Sequence, residues 1–88
     1  MEPIEQVRQA ANIIEIASQY TSLLKKGNKH VGLCPFHSEK TPSFTIDEDK
    51  QLYHCFGCGA GGDIFTLVME KENLSFPEAL RYLQKNTI

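Results

Sequence analysis

The chain has 88 residues, 41% of them hydrophobic and 23% charged, with a formal net charge of −2 and three cysteines. A chain this short makes one domain, residues 1–88, with a modest core that usually needs a staple. Its acidic balance makes it a poor long-range captor of duplex DNA, and three cysteines cannot form an even disulfide framework. Met1-Glu2-Pro3-Ile4-Glu5 has no basic run leading into an apolar stretch, so no signal peptide is expected. No apolar segment is long enough to span a bilayer. Free thiols fit a reducing compartment, so a cytoplasmic location is expected.

Residues 3 to 10 can form a short helix with Pro3 in its first turn. Asn12-Ile13-Ile14-Glu15 reads as a capping box, and Ile13, Ile16 and Ala17 then share one helical face. From Tyr20 to Lys25 the pattern turns toward a strand, and Gly27-Asn28 is a turn signal. His30 to Leu33 reads as a short strand. Ser43-Phe44-Thr45-Ile46 and Gln51-Leu52-Tyr53-His54 alternate across the polar turn Asp47 to Lys50, which predicts a hairpin. Gly59-Ala60-Gly61-Gly62 reads as a tight loop. It lacks the Lys-Ser/Thr of a P-loop and the spacing of a dinucleotide fold. Asp63 caps a helix carrying Ile64, Leu67 and Val68 on one face. Ser75-Phe76-Pro77-Glu78 is a second capping box, opening a helix with Ala79, Leu80 and Leu83. The expected architecture is α+β: a small antiparallel sheet with two metal knuckles at one end and short helices packed around it.

Those knuckles are Cys34-Pro35-Phe36-His37 and Cys55-Phe56-Gly57-Cys58, separated by Ser38 to His54. A two-residue loop lets both ends of a knuckle face one ion, and the hairpin between them returns the chain to it. The spacing suits one tetrahedral Zn²⁺ held by Cys34, His37, Cys55 and Cys58. Four protein ligands leave no open position for water, so the zinc is expected to be structural. Three thiolates on Zn²⁺ make the protein about one charge more negative. Gly57 and Gly59 are expected to adopt positive φ and let backbone N–H groups reach sulfur. His30 and His54 are rival ligands on paper. His37 is preferred because it closes a two-residue knuckle, whereas His54 adjoins Cys55 and points to the other side of a strand. Phe36 and Phe56, inside the knuckles, are expected to shield the metal from water.

A competing outline is the H-x-E of His37-Ser38-Glu39 followed by a C-x-x-C, as in zinc nucleobase deaminases with Glu39 as proton shuttle. Against it, His54 rather than proline precedes Cys55, the intervening segment is short, and Cys34 takes the catalytic water's place. No other catalytic constellation occurs at convincing spacing.

The run Gly32-Leu33-Cys34-Pro35-Phe36-His37-Ser38-Glu39-Lys40-Thr41-Pro42-Ser43-Phe44 resembles the signature of the zinc-binding domain of bacterial DNA primase. So does Tyr53-His54-Cys55-Phe56-Gly57-Cys58-Gly59-Ala60-Gly61-Gly62-Asp63. The resemblance extends to Asn12-Ile13-Ile14-Glu15-Ile16 and to Phe76-Pro77-Glu78-Ala79-Leu80, nearly the whole chain. It implies a zinc ribbon that recognises single-stranded template DNA at initiation sites for RNA primers. It also implies a following polymerase domain, using Mg²⁺ or Mn²⁺, and a third domain that docks on the replicative helicase in the bacterial replisome. Neither fits in 88 residues, so the chain is expected to be the N-terminal domain of a primase, ending after Ile88, without a catalytic centre of its own. Leu24 stands where the family often has a basic residue, and Lys29 where it often has asparagine.

Single-strand readers combine a basic groove with aromatic platforms. Lysines gather between residues 25 and 50, while most of the acid lies toward the ends. Lys26, Lys29, His30, Lys40, Thr41, Ser43, Lys50 and Tyr53 are therefore expected to line one sheet face and contact DNA, with Phe44 and Phe56 as further candidate rings beside their readings as core and as metal shield. Tyr53 is the expected stacking platform, because its hydroxyl tolerates exposure. Alternation makes Phe44 a core residue. Weak affinity is expected, roughly 10⁻⁴–10⁻⁶ M or poorer. The other reading is a module that contacts protein, such as the polymerase domain of the same or a neighbouring molecule.

Overall fold

The computed structural model describes residues 3–38 and 40–87. Met1 and Glu2 of the leader reading, Glu39 of the deaminase reading, and Ile88 lie outside the described residues. The elements run α1 (Pro3–Ala10), α2 (Ile13–Ala17), β1 (Leu23–Lys26), β2 (Lys29–Gly32), β3 (Phe44–Asp47), β4 (Leu52–Cys55), β5 (Gly61–Gly62), α3 (Ile64–Glu72) and α4 (Phe76–Thr87). The strands form one five-stranded sheet in sequence order, every neighbouring pair antiparallel. Short turns join β1 to β2 and β3 to β4, so these hairpins form locally. Gly27 supplies the first turn with a φ of +64°.

Cross-strand partners share a face, so the register assigns each strand residue to one side. One row, Leu23, Gly32, Phe44 and Cys55, lies beside a second, Lys25, His30, Ile46, Tyr53 and Gly62. Phe44, Ile46, Tyr53 and Cys55 of this inner face are buried. They join Val7, Ile13, Ile16, Ile64, Leu67, Val68 and Leu83 from the helices in a single core cluster. The opposite face carries Leu24, Val31, Thr45 and His54 in one row, with Lys26, Lys29, Asp47 and Leu52 in the next. Leu24 is 70% exposed, and His54 and Leu52 are exposed. This face has no helix over it.

The helix ends follow the predicted chemistry, with one departure. The Asp63 carboxylate accepts from the Thr66 N–H at 3.0 Å, and Arg8 binds the same carboxylate at 3.2 Å. Burial pushes the Asp63 carboxyl up, but the Thr66 bonds and the Arg8 charge outweigh it and leave it below the usual range. Ser75 and Glu78 form the reciprocal box, with the Ser75 N–H donating to Glu78 Oε1 at 2.9 Å and the Glu78 N–H to Ser75 Oγ at 3.4 Å. Asn12 caps α2 through the Ile14 N–H at 2.8 Å. In place of a return bond from Glu15, Gln51 Oε1 accepts the Ile13 N–H at 2.8 Å. Gln51 sits in the β3–β4 turn at φ 55°, so a tertiary contact completes a cap that looked local.

Strand β1 begins at Leu23, later than the sequence pattern implies. The chain after α2 continues in turns, with the Tyr20 N–H donating to the Ala17 carbonyl at 2.9 Å. The tight loop Gly59–Gly62 also holds more structure than expected. Gly61 and Gly62 pair with His54 and Tyr53 as β5.

Gly32 lies where the β2 backbone crosses the chain entering β1. A Cβ there meets the Ser22 carbonyl oxygen and sits 3.1 Å from Leu23 Cδ2. Backbone cannot yield as a side-chain tip can. Gly32→Ala is expected to cost about 1–3 kcal/mol, as overpacking does, read as a lower thermal midpoint of the zinc-loaded protein. An unchanged midpoint contradicts the close approach.

Candidate metal centre

Each knuckle is the exit of a strand. The first follows β2 and holds Cys34 and His37; the second begins on the last residue of β4 and holds Cys55 and Cys58. The β2–β3 and β3–β4 pairings bring those strand ends side by side. The four ligand atoms all lie within 4.8 Å of one another. Cys34 Sγ and Cys58 Sγ are 3.8 Å apart, and His37 Nε2 is 3.4 Å from Cys55 Sγ. A tetrahedral Zn²⁺ with Zn–S near 2.3 Å and Zn–N near 2.05 Å requires edges of about 3.8 Å between sulfurs and about 3.6 Å between nitrogen and sulfur. The two separations are therefore the edges of a tetrahedron, and the donor set fits zinc.

The surroundings prepare these ligands. His37 Nδ1 lies 3.2 Å from the Ser38 carbonyl oxygen, so it donates there and leaves the Nε2 lone pair free for metal. Backbone N–H groups of Phe36 and Cys58 donate to the sulfurs of Cys34 and Cys55. Burial pushes the Cys34 thiol up. Burial acts the same way on Cys55, but hydrogen bonds from Ser43 and the Cys58 backbone, with the His37 ring beside the sulfur, outweigh it and bring that thiol below its ordinary value. Ser43 Oγ is 3.4 Å from Cys55 Sγ. The sheet fixes the second knuckle as well: the Cys55 N–H donates to the Ala60 carbonyl at 2.7 Å, and the Gly59 N–H to the Cys55 carbonyl at 2.8 Å. Gly59 has φ +80°, as expected, whereas Gly57 is not among the glycines at positive φ. From the other side, Lys71 Nζ on α3 donates to the Pro35 carbonyl at 2.8 Å, and its charge lies 5.6 Å from the Tyr20 ring centroid.

His37 is thus brought to the other three donors. His54 faces the open side, edge-on to Phe56 with ring centroids 4.6 Å apart. His30 lies on the inner face, opposite Ile46, and its Nδ1 is buried without a hydrogen-bond partner among the described residues. A closed set of four protein donors gives a deaminase water no coordination position.

The expected DNA contacts do not share one face. Lys26 and Lys29 stand on the open face, where Lys29 is paired with Asp47 at 2.8 Å. That bond is the main reason the Asp47 carboxyl lies below the usual carboxylate range. Lys50 is exposed in the β3–β4 turn, and Lys40 and Thr41 are exposed in the loop after the first knuckle. His30 points inward. Ser43 turns its hydroxyl to a metal-ligating sulfur. Tyr53, the expected platform, is 4% exposed and packs its ring 5.4 Å from Phe44 and 5.9 Å from Phe36. The reason is the sheet period: Tyr53 shares its face with Cys55, which must point at the metal. Burial, then the nearby Glu70 and Asp63 charges, push the Tyr53 hydroxyl up to about 12.

Of the two readings of Phe56, an exposed ring and a metal shield, the structure has the first. It does not shield the metal: it is 74% exposed and extends the open face beside His54. Together with Lys29, Thr45, Asp47, Lys50, Leu52 and part of Tyr53, these two rings line a shallow cavity of about 270 Å³. Its position inside a knuckle pointed to a role at the metal, and only the direction in which the knuckle leaves β4 places it outside.

Comparison with known proteins agrees with this geometry. The chain is 52% identical over 80 residues to a DNA primase of Enterococcus faecalis, covering 91% of this chain and 13% of that protein. It is 50% identical over 84 residues to a DNA primase of Halalkalibacterium halodurans, covering 96% and 14%. The chain therefore spans about one seventh of the length of these curated relatives. The crystal structure of the Aquifex aeolicus primase, zinc-binding and RNA polymerase domains, superposes with a TM-score of 0.90 at 38% identity, covering 99% of this chain and 22% of that one. The family model of the CHC2 zinc finger matches residues 1–88, and the chain belongs to that family, the zinc-binding domain of DNA primases.

Proposed function

We propose that this domain recognises single-stranded template DNA at the sites where RNA primers are started, and that the strand lies across the open face of the sheet. The observation that carries the reading is the exposed face itself: Phe56 and His54 exposed side by side, with Lys29 and Lys50 lining the same shallow cavity and Lys26 at the far end of the Lys29 row. Stacking on an exposed ring is worth about 1–3 kcal/mol per base and tolerates any sequence. Lysines at the rim supply the salt-dependent attraction to phosphates. Lys40 and Thr41 extend the same contact from the loop after the first knuckle. The inner-face residues His30 and Tyr53 support the sheet rather than touch the strand.

In this reading one Zn²⁺, held by Cys34, His37, Cys55 and Cys58, is a structural clamp. The domain stands at the N-terminus of a longer bacterial primase. Primer synthesis with Mg²⁺ or Mn²⁺ belongs to a polymerase domain, which this domain serves in cis or in trans. A further domain meets the replicative helicase in the cytoplasm.

Two outcomes test the reading. Substituting Ala for His37 or for any of the three ligand cysteines is expected to abolish stoichiometric zinc, measured by metal analysis after dialysis. His54→Ala and His30→Ala are expected to retain one zinc per chain. Removing zinc with a chelator is expected to unfold the sheet, because the ligands join its two hairpins. Zinc retained by His37→Ala but lost from His54→Ala refutes the ligand set.

For the DNA face, Phe56→Ala is expected to weaken binding of a short single-stranded oligonucleotide by about 1–3 kcal/mol. Lys50→Ala is expected to lower the slope of log affinity against log salt by about 0.7, the value for one phosphate contact on a single strand. Tyr53→Phe is expected to bind as the parent does. NMR titration measures all three, and binding unchanged in Phe56→Ala and Lys50→Ala refutes this placement.

A further inference from the structure

The bond that ties α3 to the first knuckle brings a charge to a peptide unit that itself touches a metal ligand. Lys71 Nζ donates to the Pro35 carbonyl at 2.8 Å. That carbonyl and the Phe36 N–H belong to one planar trans peptide, and the Phe36 N–H donates to the Cys34 sulfur. A cation at the oxygen end and a thiolate at the N–H end polarise this peptide in the same sense, so each bond strengthens the other. The half-buried Lys71 side chain is fixed from a second direction. Its ammonium lies 5.6 Å from the Tyr20 ring centroid, and the Tyr20 hydroxyl donates to Glu72, the next residue of α3, at 2.8 Å.

Among the described residues no carboxylate pairs with Lys71. The ion pairs there are Arg8 with Asp63 and Lys29 with Asp47, and the neighbouring Glu72 is turned to Tyr20. An ammonium taken partly out of water needs acceptors or a compensating anion, and this one has a carbonyl and an aromatic face. The metal centre supplies the anion. Three thiolates exceed the charge of Zn²⁺ by one and the imidazole is neutral, so a loaded site of Cys34, His37, Cys55 and Cys58 is negative. Hydrogen bonds with an ionised partner are roughly twice as strong as neutral ones, and here both ends of one peptide face an ionised group.

We infer that Lys71 is a positioning residue of the metal centre: through the Pro35–Phe36 peptide it strengthens the hydrogen bond on the Cys34 thiolate and offsets the negative charge of the loaded site. Outer-shell partners of this kind change metal affinity by about 10–100-fold. The role rests on the ligand set proposed above. It is independent of the DNA face, because Lys71 stands on α3, on the helix side of the sheet.

The test is zinc competition against a chromophoric chelator at fixed pH and salt, together with the absorption spectrum of the Co²⁺-loaded chain. Lys71→Met keeps most of the stem and removes the charge. It is expected to bind zinc about tenfold more weakly. It is also expected to move the thiolate-to-Co²⁺ charge-transfer band to longer wavelength, because a sulfur with a weaker hydrogen bond holds its electrons less tightly. Lys71→Arg, which keeps a cationic donor, is expected to restore most of the affinity and the band. Lys71→Gln, a neutral donor, is expected to fall between Met and Arg. Lys85→Met removes an exposed positive charge from α4 and is expected to leave both readings at the parent value. Parent-like zinc affinity or an unmoved band in Lys71→Met overturns the proposal. So does a loss that Lys71→Arg does not recover, which makes Lys71 a packing element, or an equal loss in Lys85→Met, which makes the effect one of overall charge. If Lys71→Met takes up no metal, the other two variants decide: tighter zinc in Lys71→Arg than in Lys71→Gln supports the role, and equal affinity overturns it. Failure of the ligand set itself shows separately, as zinc retained by His37→Ala.

Discussion

Everything in this domain turns on the meeting of two strand exits at one tetrahedral point. Cys34 and His37 leave β2, Cys55 and Cys58 leave β4, and β3 lies between them in the sheet. Without a metal, three thiols and an imidazole crowd one another at these separations. With one, they join the two hairpins by bonds far stronger than any side-chain contact. A small domain has little core with which to compensate for chain entropy, and the binding free energy of a structural zinc, about 10–16 kcal/mol in small peptides, becomes folding free energy.

The constraint propagates outward through the period of the strand. Cys55 must face the ion, so Tyr53 faces the same way and is buried, and His54 faces the other way and is exposed. Phe44 and Ile46 follow on β3 by cross-strand pairing. The helices then pack on the metal side, because that side carries the apolar side chains. Lys71 completes the coupling by tying α3 to the first knuckle through the Pro35 carbonyl. Among the described residues the opposite face is left without a helix, and the rings of His54 and Phe56 are exposed there.

The metal site separates two surfaces of opposite character. On one side lysines surround Phe56 and His54. On the other, the Tyr53 ring packs between Phe36 and Phe44. Charge is not sorted with them: Asp47 shares the open face with Lys26 and Lys29, while Arg8 and Lys71 lie on the helix side.

Much of this was written locally in the chain. The paired knuckles, the hairpin turn, the caps at Asp63 and at Ser75–Glu78, and the apolar face of α2 are each set by residues within a few positions of one another, so short-range chemistry suffices to read them. What escaped the sequence depended on distant partners. The cap on Ile13 comes from Gln51, thirty-eight residues away. Strand β5 is two glycines with no side chains to alternate, and its pairing is visible only once β4 is beside it. The face of Tyr53 was inverted for the same reason. Alternation gives the period of a strand but not its phase, and here the phase is fixed by which way Cys55 must point. The sequence by itself determined the metal, the knuckles and the family. Only the tertiary structure decided which side of the sheet is buried, because that choice belongs to the closure of the metal site and not to any single segment.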